Sequence, residues 1–258
     1  MRVADDVVRA RRQEVAHLLE RHQYLPVTEL CSRFGISPAT ARRDLAVLAA
    51  ERAITRTYGG ALVEFNQRFR SFEERREHGA GAKSRIAAAA MGLITPGSVC
   101  YLDGGSTVYA LAQLLAAGGP RPLTVVTINL PAAEVLAQCD DIELNLLSGQ
   151  YLRRQSILLG PKTQAAARLW RYDHAFFGAE AMDGRGTWNS QADVVAVERT
   201  VAKAARSTCF LIDAEKLGAS APEFLLPWAR IDRLICDGAA ERFSARGIPI
   251  TRKQLVSV

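Results

Sequence analysis

Two short stretches carry residue types whose spacing can do chemistry. In Ser37-Pro38-Ala39-Thr40-Ala41-Arg42-Arg43-Asp44-Leu45, the serine stands where its hydroxyl can accept from the free N–H groups of a helix's first turn. Pro38 follows at the first helical position, where its missing N–H costs nothing. Ala41, Leu45 and Leu48 recur at helical spacing and face a core, with Ile36 and Ala41 at the staple positions around the cap. Ala39, Thr40, Arg42, Arg43 and Ala46 are left facing out. Two guanidinium forks on a small, polar face can meet phosphate oxygens and guanine edges. Taken alone, a surface helix with two solvated arginines fits equally well. The second stretch is Asp103-Gly104-Gly105-Ser106-Thr107, between an apolar strand and a helix. Its glycines let a backbone approach closely, its hydroxyls can donate, and the helix N-terminus adds free N–H groups and partial positive charge. That is a possible phosphate cradle, lacking the Gly-Lys-Ser/Thr ending of a nucleotide P-loop. A tight strand-to-helix turn is the plainer alternative.

The elements before and after the first stretch decide between its readings. Glu14, Val15, Leu18 and Leu19 share one stripe of a helix expected over about 7–22. Pro26 marks a break. A short helix over 27–34 turns Leu30 and Phe34 inward, and Gly35 permits a tight turn before the capped helix. This is the helix-turn-helix order, with the last helix as reader. Ala53-Ile54-Thr55-Arg56-Thr57-Tyr58 is β-rich and Gly59-Gly60 is a turn signal, which predicts a wing carrying Arg56 and Tyr58 against a DNA backbone. The residues expected to touch double-stranded DNA are Ser37, Ala39, Thr40, Arg42, Arg43, Arg56 and Tyr58.

Arg12, the run Thr40-Ala41-Arg42-Arg43-Asp44-Leu45 and the wing sequence Arg56-Thr57-Tyr58-Gly59-Gly60-Ala61 resemble the DeoR family of bacterial transcription regulators. Ala41 stands where the family usually has a larger aliphatic residue, and Tyr58 where histidine is common.

Composition bounds what else the chain can be. Its 258 residues fit two domains, and 48% hydrophobic content supports packed cores. A net charge of +6 favours a polyanionic partner. Five cysteines, Cys31, Cys100, Cys139, Cys209 and Cys236, form no Cys-x-x-Cys pair, and four histidines show no ligand spacing. Reduced core cysteines and no metal are expected. No apolar run reaches membrane-spanning length, so a cytoplasmic protein without membrane attachment is expected.

The domains are expected at 1–62 for the reader, 63–82 for a flexible, charged linker with Gly79 and Gly81, and 83–258 for a second unit. There strands are expected near 98–102, 123–127, 142–147, 175–177, 208–212 and 233–236, and helices near 108–116, 131–138, 164–170 and 193–206. Apolar strands between helices predict an α/β fold with a mostly parallel sheet, whose ligands sit in loops after strand ends. Those loops hold residues 103–107, Thr127 with Asn129, Ser148-Gly149 with Arg153 and Arg154, and Asp213 with Lys216. Asp103 can bind sugar hydroxyls and Lys216 or Arg153 a phosphate, or Asp213 and Lys216 form only a local ion pair.

From Lys83 to Asp237 the pattern is similar to the DeoR sensor domain, which is related to ribose-5-phosphate isomerase and similar folds. The similarity rests on residues 103–107, Thr127, Gly149, Phe177-Gly178-Ala179, Asp213 with Lys216, and Asp237. Ile128 intervenes before Asn129, Ser148 replaces one of two glycines, and Ser106 follows Gly105. The resemblance implies a phosphorylated sugar or polyol as effector; with the strand-end loops, the residues expected to bind it are Asp103, Gly104, Gly105, Ser106, Thr107, Thr127, Asn129, Gly149, Arg153 and Lys216. The expected function is a DNA-binding repressor of carbohydrate genes, acting as a homo-oligomer (dimer or tetramer) that needs no cofactor and catalyses nothing. The alternative is a sugar-phosphate isomerase carrying a DNA-binding head, with Asp103, Asp193, Glu198 or Asp213 as its base.

Overall fold

Three helices form the first unit around one small core: α1 (Asp5–His22), α2 (Val27–Phe34) and α3 (Pro38–Ala50). The structure is a computed structural model describing residues 5–22, 24–50, 54–56, 60–63 and 70–258. The chain divides into Met1–Arg70 and Ser71–Val258, each described here by itself. Val15 and Leu18 of α1 meet Val27 and Leu30 of α2 and Ala41, Leu45 and Leu48 of α3. Those positions repeat every three or four residues, so burying one stripe of each helix drives the assembly. Glu14, expected on the stripe, is exposed, because helical rotation carries it past the buried face; the Leu19 side chain lies outside the described residues. Gly35 makes the turn between α2 and α3 at φ +59°, where glycine carries no Cβ penalty.

A three-stranded antiparallel sheet completes this unit: β1 (Tyr24–Pro26), β2 (Ile54–Arg56) and β3 (Gly60–Val63), in the order β1-β3-β2. The wing hairpin of β2 and β3 was legible in sequence; the strand before α2 was not. Pro26 ends β1 at the sheet edge, where the absence of an N–H is tolerated, and the same proline had signalled only a break.

The second unit opens with α4 (Phe72–Glu77) and α5 (Ala80–Met91). Ser71 caps α4 in a reciprocal box: its hydroxyl accepts from Glu74 N–H and its own N–H donates to Glu74 Oε2 at 2.6 Å. Residues 71–82, expected as flexible linker, are thus ordered helix and turn, with Phe72 fully buried; the expected linker residues 64–69 lie outside the described residues. Then follow β4 (Val99–Leu102), α6 (Ser106–Gly118), β5 (Leu123–Thr127), α7 (Leu130–Leu136), β6 (Ile142–Leu146), the hairpin β7 (Gln150–Leu152) and β8 (Ile157–Leu159), α8 (Pro161–Ala167) and β9 (Tyr172–Phe177). The chain continues through β10 (Ala181–Asp183), β11 (Gly186–Asn189), α9 (Ala192–Ala204), β12 (Ala205–Leu211), a 3-10 turn (Ala214–Lys216), β13 (Glu223–Pro227), β14 (Arg233–Cys236), α10 (Ala240–Ser244) and β15 (Leu255–Ser257).

Seven of these strands form one parallel sheet in the order β15-β14-β12-β9-β4-β5-β6. Successive side chains bury on opposite faces: Cys100 and Leu102 join the core that holds Phe72, Ile86 and Leu111, while Tyr101 joins the core that holds Val197, Phe177 and Phe210. Burial on both sides explains why the strands read as continuous apolar runs. From β4 the chain winds outward to β5 and β6 on one side; β9, β12, β14 and β15 extend the other. The sheet therefore reverses its winding between β4 and β9, and a crevice opens past the carboxyl ends of strands at such a point.

Candidate functional site

On α3 the sequence-expected reader residues stand as the spacing requires. Ser37 Oγ accepts from Thr40 N–H at 3.2 Å and lies 2.9 Å from Thr40 Oγ1. Ser37, Ala39, Arg42 and Arg43 are exposed and Thr40 is half-buried, whereas Ala41, Leu45 and Leu48 are buried. Asp44, between reader and core, is nearly inaccessible. It accepts from Arg11 Nε at 2.7 Å and from Arg12 Nε at 2.8 Å, so these two arginines lock α1 to α3. Arg42 and Arg43 make no ion pair among the described residues and keep their donors available. Arg56 lies on β2, opposite Ala61; its side chain and all of Tyr58 lie outside the described residues.

In the second unit a small, partly open pocket lies at the crevice between β4 and β9. One wall is the loop after β4, with Gly104, Gly105, Ser106 and Thr107. Gly105 takes φ +137°, a conformation side chains rarely adopt, and so turns the chain into α6. The first N–H groups of α6 have no partner within the helix, and Ser106 and Thr107 stand among them. The facing wall is the loop after β9, with Gly178, Ala179 and Glu180, and Lys216 comes from the 3-10 turn after β12. Two further walls were not foreseen: Arg75 from α4 with Gln155 from the β7-β8 hairpin, and Asn189 to Gln191 at the end of β11.

Lys216 Nζ donates to Ala179 O at 2.5 Å and lies 3.6 Å from Glu180 Oε2, so its ion-pair partner is Glu180. Arg75 Nη1 donates to Glu180 Oε1 at 2.9 Å and Nη2 to Gln155 Oε1 at 3.4 Å. Lys83 on α5 donates to the carbonyls of Arg75 and His78, pinning the C-terminal end of α4 that carries Arg75. Burial lowers the Lys83 pKa, Asp213 opposes that, and the charges of Lys216 and Arg75 add to it.

The remaining expected site residues do not line this cavity. Asp103 is buried under its floor. Its carboxyl accepts from Tyr101 Oη at 3.1 Å and from the N–H groups of Gly104 and Gly178. Glu198 of α9, fully buried, faces it and accepts from Asn189 Nδ2 at 2.8 Å. Burial pushes the Asp103 carboxyl up to about 6; burial and the charge of Asp103 push Glu198 well above the carboxylate range. Both shifts favour the protonated form, which relieves the repulsion between two buried carboxyls. Glu198 Oε2 has no other partner among the described residues.

Thr127 Oγ1 donates to Leu102 O at 2.6 Å and accepts from Asn129 N–H at 3.0 Å. Asn129 Nδ2 donates to Asp103 O and Gly105 O while its Oδ1 caps α7. Both residues shape the cradle from behind, their polar atoms already engaged. Gly149 packs so closely that a Cβ would lie 2.1 Å from Thr163 Oγ1, a packing reason for glycine. Arg153 is exposed on the turn between β7 and β8. Of the ten expected effector residues, then, Gly104, Gly105, Ser106, Thr107 and Lys216 meet at one cavity, and the other five do not line it. Among the described residues no group of three or more His, Cys, Asp or Glu is placed to hold a metal ion, and no helix is long and apolar enough to cross a membrane.

Comparison with known proteins gives the context. The putative aga operon transcriptional repressor of Escherichia coli O157:H7 is 28% identical over 92% of this chain and 89% of its own. The glycerol-3-phosphate regulon repressor of Haemophilus influenzae is 30% identical over 80% of each chain. A solved ribose 5-phosphate isomerase of Methanocaldococcus jannaschii superposes with a TM-score of 0.37, at 20% identity over 52% of this chain and 53% of that one. A family model described as a DeoR-like helix-turn-helix domain matches residues 11–67, and one described as the DeoR C terminal sensor domain matches residues 79–238. With both halves matched in order, the chain belongs to the DeoR family of transcriptional regulators.

Proposed function

We propose that this regulator is a repressor whose hold on its operator is set by a phosphorylated sugar or polyol bound in the cavity between β4 and β9. One observation carries the reading: the glycine-turned start of α6, with Ser106 and Thr107, and the ammonium group of Lys216 converge on the same cavity. Free N–H groups, hydroxyls and a cation are what a phosphate monoester requires. The relative named for a glycerol-3-phosphate regulon supports a ligand of this class. On the DNA side, the support is the exposed Arg42 and Arg43 on a rigidly held α3. An isomerase needs a carboxylate base at the substrate; Asp103 and Glu198 are buried, and Glu180, the carboxylate that lines the cavity, is engaged by Arg75 and Lys216.

The test is operator binding by fluorescence anisotropy in the presence of phosphorylated sugars and polyols selected by thermal shift. Ser106→Ala combined with Lys216→Ala should keep operator affinity and lose release by effector. Arg43→Ala should keep effector binding and weaken operator binding by roughly 1–3 kcal/mol if it reads a base. A double variant that still releases DNA normally would move the effector site elsewhere, and turnover of a pentose or hexose phosphate would favour the enzyme alternative.

A further inference from the structure

Glu180 is the only carboxylate that lines the cavity among the described residues. Its two oxygens are divided between two cations from distant parts of the chain: Oε1 accepts from Arg75 Nη1 at 2.9 Å, and Oε2 lies 3.6 Å from Lys216 Nζ. Two acceptor oxygens spanning a guanidinium and an ammonium group is also how a phosphate monoester would engage that pair. The Glu180 side chain is 14% exposed, Arg75 17% and Lys216 25%, so the triad is sheltered yet open to a ligand in the cavity. The Glu180 backbone is held independently, its N–H donating to Trp188 O at 2.9 Å. Its carboxylate can leave the cations without unmaking the loop. Arg75 also has donor capacity in reserve, because its buried Nε has no acceptor among the described residues.

We infer that Glu180 is a built-in stand-in for the effector's phosphate: it neutralises Arg75 and Lys216 in the empty cavity, and a phosphate ester displaces it. The inference rests on the cavity being a phosphate-ester site and adds what selects the ligand. A carboxylate offers one negative charge, a phosphate monoester close to two and a third oxygen acceptor. The exchange therefore favours a phosphate ester and turns away neutral sugars and monoanions, which cannot outcompete a tethered carboxylate. It also changes the partner of an arginine on α4, the first helix of the second unit.

The test is calorimetric titration of the full chain with inorganic phosphate and with ribose 5-phosphate, for the wild type, Glu180→Gln, and Glu180→Gln combined with Arg75→Gln. Glu180→Gln should bind inorganic phosphate about tenfold or more tightly than the wild type, and the added Arg75→Gln should cancel the gain. Glu180→Ser removes the same charge and should give the same order if the glutamine variant does not fold. Equal or weaker phosphate binding by the variant, beside a wild type that binds, overturns the stand-in and leaves the cavity as a phosphate site. A gain that survives Arg75→Gln also overturns it. Silence from every protein toward both ligands overturns the stand-in and the phosphate-ester reading together.

Discussion

Asp103 shows how a residue can matter to a site it never touches. Its carboxyl faces the carboxyl of Glu198, each raising the other's preference for the protonated form, and Glu198 in turn holds Asn189, which lines the cavity. Burial raises the carboxyl from 3.8 to about 6, so between those values the folded chain keeps a proton that the unfolded chain has lost. Stability from the pair is fully present below the unfolded value and declines as pH rises through the folded one. Glu198→Gln keeps an acceptor for Asn189 and places an N–H where the proton sits. Its melting temperature should gain on the wild type as pH is raised from 5 to 8, followed by differential scanning calorimetry. Parallel curves for the two proteins would mean that the pair does not favour the protonated form.

α4 has only six residues, too few to persist alone, and it stands because of what surrounds it. Ser71 and Glu74 box its start, Lys83 gathers the carbonyls at its end, and Phe72 packs edge-on against Tyr109 of α6 with centroids 5.4 Å apart. Phe72→Ala should cost about 3–5 kcal/mol, seen as a lower urea midpoint for the second unit. An unchanged midpoint would show that α4 is not part of that unit's cooperative core. The same element marks the limit of legibility in the sequence. β5 and β14 were delimited to the residue, because strands covered on both faces leave continuous apolar runs. α5 was missed: Gly79 and Gly81 suggested flexibility, whereas Gly79 takes φ +64° to start a helix that buries Ile86, Ala87 and Ala90. β7, β8, β10 and β15 have three residues each, too few for a periodic signal, and β11 (Gly186-Thr187-Trp188-Asn189) and β13 (Glu223-Phe224-Leu225-Leu226-Pro227) hold no continuous apolar run of strand length. Half of the expected cavity residues lie together because one loop contributes four of them. Arg75, Gln155 and Glu180 were invisible because each comes from a different segment. Ser71 with Glu74 at capping-box spacing was the one sequence signal that could have placed a helix ahead of Arg75.

At the scale of the molecule, one short reader helix contacts few base pairs, so tight operator binding calls for two or more heads on spaced half-sites. Light scattering at working concentration should find a dimer or larger homo-oligomer, and operator affinity should fall steeply with salt, as the chain's +6 charge implies. A monomer that holds its operator tightly would contradict this.

The place of Arg75 also governs how such a regulator can be recombined. Each unit has its own core, which invites swapping the reader onto another sensor to build a hybrid switch. A cut near residue 82, where the charged tract ends, would discard the arginine, its helix and the phenylalanine that seats it. The graft would lose a fully buried core side chain as well as one wall of the cavity. For the proposed effector response to survive, the junction belongs between Arg70 and Ser71, and hybrids joined a dozen residues later should bind DNA and not respond.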